Sequence, residues 1–132
     1  MLIVETSAFI AFALKEPTEA ALYKRLTGEV NRAFPVHCLV EAHLVLSGRG
    51  GGLADAIDTL MSDLGLTLLP LTADHAAAAR DAFDRYGKGR HPARLNYADC
   101  LSYGVAKAED APLLYVGGDF GKTDVIAAIP EG

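Results

Sequence analysis

Residues Met1–Phe9 read MLIVETSAF: three strand formers, Leu2, Ile3 and Val4, run directly into Glu5 and then into a helix-start signal, Thr6-Ser7. A short apolar run without polar alternation is the pattern of a strand buried on both faces, and such strands belong to parallel sheets covered by helices. Glu5 therefore stands at the carboxyl end of its strand. In open α/β sheets that edge is where ligands bind, which makes Glu5 the first candidate site residue.

Working outward, Thr6 or Ser7 is expected to cap a helix running to about Leu14, and Pro17 to restart a second one ending near Gly28. Ala33–Val36 reads as a short strand in spite of Pro35. His37–Ser47 follows as a helix, with Cys38, Ala42, Val45 and Leu46 at helical spacing, Glu41 beside that stripe, and Gly48 and Gly50–Gly52 as its breakers. Leu53–Leu64 has the most regular helical spacing in the chain, a stripe that meets either a core or a partner. Leu66–Leu69 reads as a further buried strand, and Thr72 opens an alanine-rich helix to about Tyr86. Gly87–Arg94 is a basic, glycine-containing loop. Leu95–Ala108 is a helix, Leu113–Val116 a strand, Gly117–Asp124 a loop and Val125–Ile129 a last short strand. This alternation, without repeats or low-complexity linkers, predicts one α/β domain over residues 1–132, a three-layer α/β/α arrangement with a mainly parallel central sheet.

At 132 residues the chain has the length of one ordinary domain and needs no disulfide to fold. Cys38 and Cys100 fall on helices, so they are expected to be buried, reduced thiols in a cytoplasmic protein. No Cys/His spacing of the metal-binding kind occurs, and the side chains of His37 and Cys38, adjacent on a helix, are expected to point apart. A basic leader and a run of about eighteen apolar residues are both missing, which argues against export and membrane insertion. The net charge of −5 argues against a protein that grips nucleic acid over its whole surface. The positive charge is concentrated, however: Arg80, Arg85, Lys88, Arg90 and Arg94 are five of the twelve basic residues, His91 lies among them, and only Asp81 and Asp84 offset them.

On this map Glu5 follows the first strand and Glu41 the second. Asp99 lies near the start of the helix after the basic loop, and Asp119 follows the strand Leu113–Val116. Parallel strands point the same way, so these four carboxylates are expected to gather at one rim of the sheet. Unneutralised they would repel one another and raise each other's pKa, an arrangement that makes sense with a cation. Oxygen-only ligands select a hard one, Mg²⁺ or Mn²⁺. Each acid also has a plainer role open to it: Glu5 as a helix-entry acid, Glu41 on a solvated face, Asp119 in a turn.

The order of hydrophobic strand and Glu-Thr-Ser-Ala, then Leu-Val-Glu-Ala, then Tyr-Gly-Lys-Gly-Arg-His-Pro-Ala-Arg-Leu-Asn-Tyr-Ala-Asp-Cys (Tyr86–Cys100), then Pro-Leu-Leu-Tyr-Val-Gly-Gly-Asp-Phe-Gly-Lys-Thr-Asp resembles the PIN-domain ribonucleases. More narrowly it is similar to the VapC toxins of bacterial type II toxin–antitoxin pairs. The resemblance implies a PIN-like fold and a Mg²⁺-dependent endoribonuclease, with Mn²⁺ able to substitute. It also implies a tRNA or rRNA substrate, inhibition by a VapB-type antitoxin, and a homodimer. The family's acids carry over onto Glu5, Glu41, Asp99 and Asp119, of which Glu5, Asp99 and Asp119 are the metal ligands. Ser7 and Asn96 match supporting polar positions, and Asp124 a further acid.

One position departs from the pattern: the family's first acid is Asp, and here it is Glu5. The extra methylene moves the carboxylate by about 1.5 Å, against a tolerance of roughly 0.5 Å for a positioned group. Three accounts of Glu5 stay open: a weakened natural catalyst, a backbone that compensates, or a substitution introduced into the chain. The mechanism expected is hydrolysis by metal-activated water, leaving a 5′-phosphate and a 3′-hydroxyl. Lys88, Arg90, His91 and Arg94 would neutralise the RNA backbone, and Tyr86 and Tyr97 are candidates for base stacking. Two other classes fit less well or differently. A receiver-like phosphotransfer domain needs adjacent acids after its first strand, whereas Val4 precedes Glu5. A catalytically impaired module would keep the fold and bind antitoxin or RNA without cleaving.

Overall fold

The computed structural model describes residues 1–130. Four strands, β1 (Leu2–Val4), β2 (Arg32–Pro35), β3 (Thr67–Leu69) and β4 (Leu113–Leu114), form one sheet in the order β3-β2-β1-β4. Every neighbouring pair is parallel, with Ile3 opposite Ala33 on one side and Leu113 on the other. Six α-helices cover it: α1 (Thr6–Ala13), α2 (Glu19–Thr27), α3 (Val36–Arg49), α4 (Ile57–Asp63), α5 (Ala73–Tyr86) and α6 (Tyr97–Ala108).

The period-two alternation of β1 divides the molecule. Leu2 and Val4 point into a core built with Phe9, Phe12, Leu22, Leu26, Cys38, Leu46 and Met61 from α1 to α4. Ile3 points the other way, into a core with Ala79, Ala82, Cys100, Tyr103 and Val105 from α5 and α6. All three β1 side chains are fully buried, each burial contributing about 1.5–3 kcal/mol. This is the three-layer α/β/α fold with a parallel central sheet that the strand–helix alternation predicts. Phe9 of α1 stacks on Phe34 of β2 at 4.7 Å between ring centroids, fixing the first helix against the sheet. Both cysteines are free and buried, and no described helix is long and apolar enough to cross a membrane.

Several boundaries differ from the sequence reading, each for a local reason. The helix expected to break at Gly48 runs on to Arg49 and ends where Gly50 takes φ 72°. Gly50, Gly51 and Gly52 all have positive φ, so the chain leaves them through a 3-10 turn at Ala54–Ala56, and only Ile57–Asp63 of the expected Leu53–Leu64 helix is α-helical. β3 is an edge strand paired only with β2, and Thr67 and Leu68 are exposed rather than buried on two faces. The expected strand Leu113–Val116 stops at Leu114, and the Val116 amide bonds a serine hydroxyl instead of a strand. Leu95 and Asn96 precede α6, which begins at Tyr97. Val125–Ile129 reduces to a single bridge, Leu113 to Ala127.

These two environments predict different costs of truncation. Phe9→Ala should lower unfolding free energy by about 3–5 kcal/mol, whereas Leu68→Ala on the edge strand should cost less than about 1 kcal/mol. Urea denaturation of the two variants beside the parent chain measures both.

Candidate active site at the carboxyl rim

Glu5 is the first residue after β1 and the N-cap of α1, a place the sequence reading gave to Thr6 or Ser7. Its side chain reaches back so that Oε1 and Oε2 both accept the Ser7 N–H, at 3.0 and 2.9 Å. The carboxylate thus meets the positive end of α1, where an anion is favoured. Ser7 in turn accepts the Val116 N–H on Oγ at 2.8 Å, which ties the start of α1 to the chain leaving β4. Glu5 is only 5 % exposed. Burial raises its pKa from 4.5 to about 7, with the Glu41 and Asp99 charges adding to the effect and the Ser7 bonds opposing it.

Asp99 is the third residue of α6 and half of a capping box. Its N–H donates to Asn96 Oδ1 at 2.9 Å, and its Oδ2 accepts the Asn96 N–H at 3.1 Å. Burial, followed by the Glu41 and Asp119 charges, pushes its pKa up. Glu41 lies half-buried in the second turn of α3, and Asp119 lies exposed in the loop after β4.

All four acids line one cavity of about 380 Å³, together with Thr6, Ser7, Val116 and Gly117. Three helices and the loop after β4 deliver them. A fifth acid, Glu16, lines the same cavity and escaped the sequence reading. It follows no strand; Lys15 in the left-handed region (φ 53°) and a Glu16 N–H bond to the Ala11 carbonyl place it there.

The remaining candidates lie elsewhere. Asp124 does not line the cavity. It accepts hydrogen bonds from the Tyr103 hydroxyl and from Lys107 at 3.2 Å, with Arg85 at 3.5 Å, and the Tyr103 bond above all lowers its pKa to about 2. Its role is to brace the end of the Asp119 loop on α5 and α6. None of Lys88, Arg90, His91 and Arg94 lines the carboxylate cavity either. Lys88 borders a separate cavity of about 570 Å³ with Arg80, Phe83 and the exposed Tyr97, and the Arg90 guanidinium covers the Phe83 ring at 4.9 Å. His91 sets its ring at right angles to Tyr86 and accepts the Ala93 N–H on Nδ1 at 3.0 Å. Finally, His37 and Cys38, expected to diverge, meet at 3.4 Å beside Ser102 of α6.

Among the described residues no three His, Cys, Asp or Glu side chains stand close enough together to hold a metal ion as placed. The donor chemistry nonetheless fits a hard divalent cation. The converging acids offer oxygen alone, and a cation would relieve the repulsion that helps to raise the pKa of Glu5 and Asp99.

A parallel α/β fold with acids from separate helices and a loop gathered on one cavity defines the class, and comparison with known proteins agrees. The PIN domain model matches residues 2–126, so the chain belongs to the PIN-domain family. Within that family it is similar to VapC ribonucleases. Ribonuclease VapC36 of Mycobacterium tuberculosis is 42% identical over 126 residues, covering 94% of this chain and 91% of that protein. Ribonuclease VapC of Mycolicibacterium smegmatis is 37% identical over 127 residues, covering 96% and 98%. Among solved structures, M. tuberculosis VapC20, described as a sarcin-ricin loop cleaving toxin, superposes with a TM-score of 0.74 at 21% identity, covering 96% of this chain and 97% of that one.

The electrostatics of Glu5 predict a pH dependence in chelator-treated protein. A folded-state pKa of about 7 against 4.5 means that the folded chain holds a proton the unfolded chain gives up. Glu5's contribution is therefore fully present below pH 4.5 and is lost as pH rises through about 7, a swing on the order of 3 kcal/mol. Glu5→Gln should remove that swing. Urea midpoints across the interval, parent minus variant, measure it, and parallel curves would refute the assignment.

Proposed function

We propose that this chain is a metal-dependent endoribonuclease, the toxin of a toxin–antitoxin pair, which hydrolyses RNA phosphodiesters. The observation that carries the reading is the convergence of Glu5, Glu41, Asp99 and Asp119, from four separate segments, on one cavity at the carboxyl rim. Membership of the PIN-domain family and similarity to proteins named VapC ribonucleases support it.

In this reading Glu5, Asp99 and Asp119 hold Mg²⁺, or Mn²⁺ in its place, and Glu41 completes the acidic set. The bound ion supplies a water of lowered pKa and charge stabilisation at the leaving oxygen. The chain's own residues do the positioning. Ser7 restrains the Glu5 carboxylate through its amide while its hydroxyl holds the Val116 amide, and Asn96 fixes Asp99 at the start of α6. The clustered acids repel a phosphodiester, so RNA must be attracted from outside the cavity. The loop bearing Lys88, Arg90, His91 and Arg94 is assigned that role, with the exposed Tyr97 ring open to a base. The proposed partners are a VapB-type antitoxin and a second copy of the chain. A solved structure similar to this chain, with a TM-score of 0.70 at 16% identity and covering 96% of this chain and 95% of that one, is that of VapBC2 from Rickettsia felis bound to a DNA fragment from their promoter.

One observation favours a second reading, an impaired module that binds antitoxin or RNA without cleaving. Glu5 replaces the shorter acid of the family pattern, and both of its oxygens are turned to the Ser7 amide.

Incubating the purified chain with total RNA separates the two. Cleavage should require Mg²⁺ or Mn²⁺, stop with chelator, and leave 5′-phosphate ends. Asp99→Asn should lower the rate at least about 100-fold, the order of effect seen when one preorganised charge is removed from a site. Glu5→Asp should raise it. Cleavage unaffected by Asp99→Asn would sink the proposal, and no cleavage by either the parent or the Glu5→Asp chain would favour the binding module.

A further inference from the structure

Glu41 and Asp99 reach the cavity from helices on opposite faces of the sheet. α3 packs through Cys38, Ala42 and Leu46 into one core, and α6 packs through Cys100, Tyr103, Val105 and Ala106 into the other. Neither core spans both helices, so neither fixes the distance between the two acids. Past the end of the sheet α3 and α6 touch directly. The joint between them is polar.

At that joint His37 Nε2 and Ser102 Oγ share a hydrogen bond of 2.8 Å, and the Cys38 thiol lies 3.4 Å from the same Nε2 and 3.5 Å from the same hydroxyl. Ser102 and Cys38 are buried. His37 Nδ1 is also buried and makes no hydrogen bond, so Nε2 carries the ring's polar contacts. Burial, with His75 nearby, lowers the His37 pKa to about 4, so the ring is neutral and Nε2 meets the Ser102 hydroxyl as donor or as acceptor according to its tautomer. Helical spacing then places the joint relative to the site. His37 precedes Glu41 by one turn on the same face of α3, and Ser102 follows Asp99 by one turn on the same face of α6.

We propose that His37 is a positioning residue for the carboxylate site: its bond to Ser102, backed by the Cys38 thiol, joins α3 to α6 one turn before Glu41 and one turn after Asp99 and sets the separation of those two acids. The inference rests on the metal-site reading above. Glu41 and Asp99 are then spaced by a neutral hydrogen-bonded bridge at the place where the apolar layers stop. A site that tolerates about 0.5 Å of error needs such a bridge.

The test is Mn²⁺ binding to the chelator-stripped full chain, measured by calorimetry and by loss of the free-ion electron paramagnetic resonance signal. His37→Leu and Ser102→Ala should each weaken Mn²⁺ affinity about 10-fold or more, the usual cost of removing a group that orients ligands. The double variant should lose no more than either single one, because both break one joint. His37→Gln, which restores a polar nitrogen near the Nε2 position, should recover most of the loss. Leu46→Ala, which destabilises the core under α3, should lower the melting temperature without changing Mn²⁺ affinity; an equal loss there would reduce His37 to a general structural role. Unchanged affinity in His37→Leu, or losses that multiply in the double variant, would overturn the positioning role alone. No Mn²⁺ binding by the parent chain would overturn the metal-site reading and this inference with it.

Discussion

At the carboxyl rim of the sheet Glu5 is nearly dry and lies close enough to Glu41 and Asp99 for their charges to raise its pKa further. Water would ordinarily screen such a group, and burial removes most of that screening, so the remaining devices must come from the protein. Two are visible. Glu5 caps α1 and Asp99 lies in the first turn of α6, so each acid meets the positive end of a helix and a backbone amide. These partners lower the cost of the charge without cancelling it, which is why the pKa of both groups still moves up. A cavity with that residual debt is a place for a cation, and the proposed chemistry follows from it.

The two halves of the structure answer to different forces. Away from the rim, position is set by apolar packing: alternate residues of β1 are committed to opposite cores, and slipping the register by one would exchange them. At the rim the strands and the apolar layers have ended, and the contacts that join the segments there are single polar ones. Ser7 holds Val116, Asn96 holds Asp99, Asp124 holds the loop to α5 and α6, and His37 holds Ser102. A neutral hydrogen bond contributes about 1 kcal/mol net, and exposed pairs such as Lys107 with Asp124 contribute less. The value of these contacts lies in direction rather than in stability, which suits a place where a displaced carboxylate matters more than a lost fraction of folding energy.

How much of this the chain discloses before folding depends on whether the cause is local. Leu2–Val4 followed by Glu5 is legible because an unalternating apolar run and a parallel sheet imply each other, and segments leaving the ends of parallel strands then share an edge, which accounts for Glu5 and Asp119 more directly than for Glu41 and Asp99, carried on helices. Contacts whose partner lies far along the chain are not legible. The Lys107 and Arg85 partners of Asp124 are 17 and 39 positions away, and the hydroxyl that brings His37 and Cys38 together is 64 or 65 away. Glu16 follows no strand and enters the cavity through a left-handed turn at Lys15, a residue with no propensity for one. Strand neighbours are equally hidden: Leu66–Leu69 looks like an interior strand, but only topology decides that β3 has a single partner. The stripe from Leu53 to Leu64 fails at its start because three glycines with positive φ fix where the chain enters it.

Glu5 joins the two halves, and its geometry bears on whether capping and ligation exclude each other. A carboxylate has about four lone-pair sites, and here one N–H, that of Ser7, is shared between the two oxygens. Ser7, through this shared amide and a side-chain hydrogen bond that likewise lowers the Glu5 pKa, restrains the group at the cap while leaving part of its acceptor capacity unspent. The group is buried and still lines the cavity, where the Glu41 and Asp99 charges act on it. Under the proposed metal-site reading, capping therefore does not consume Glu5 as a ligand; it restrains the line along which the carboxylate can move. The longer side chain then changes where the oxygens sit along that line more than whether they are available, and the cost of glutamate at this strand end is one of distance.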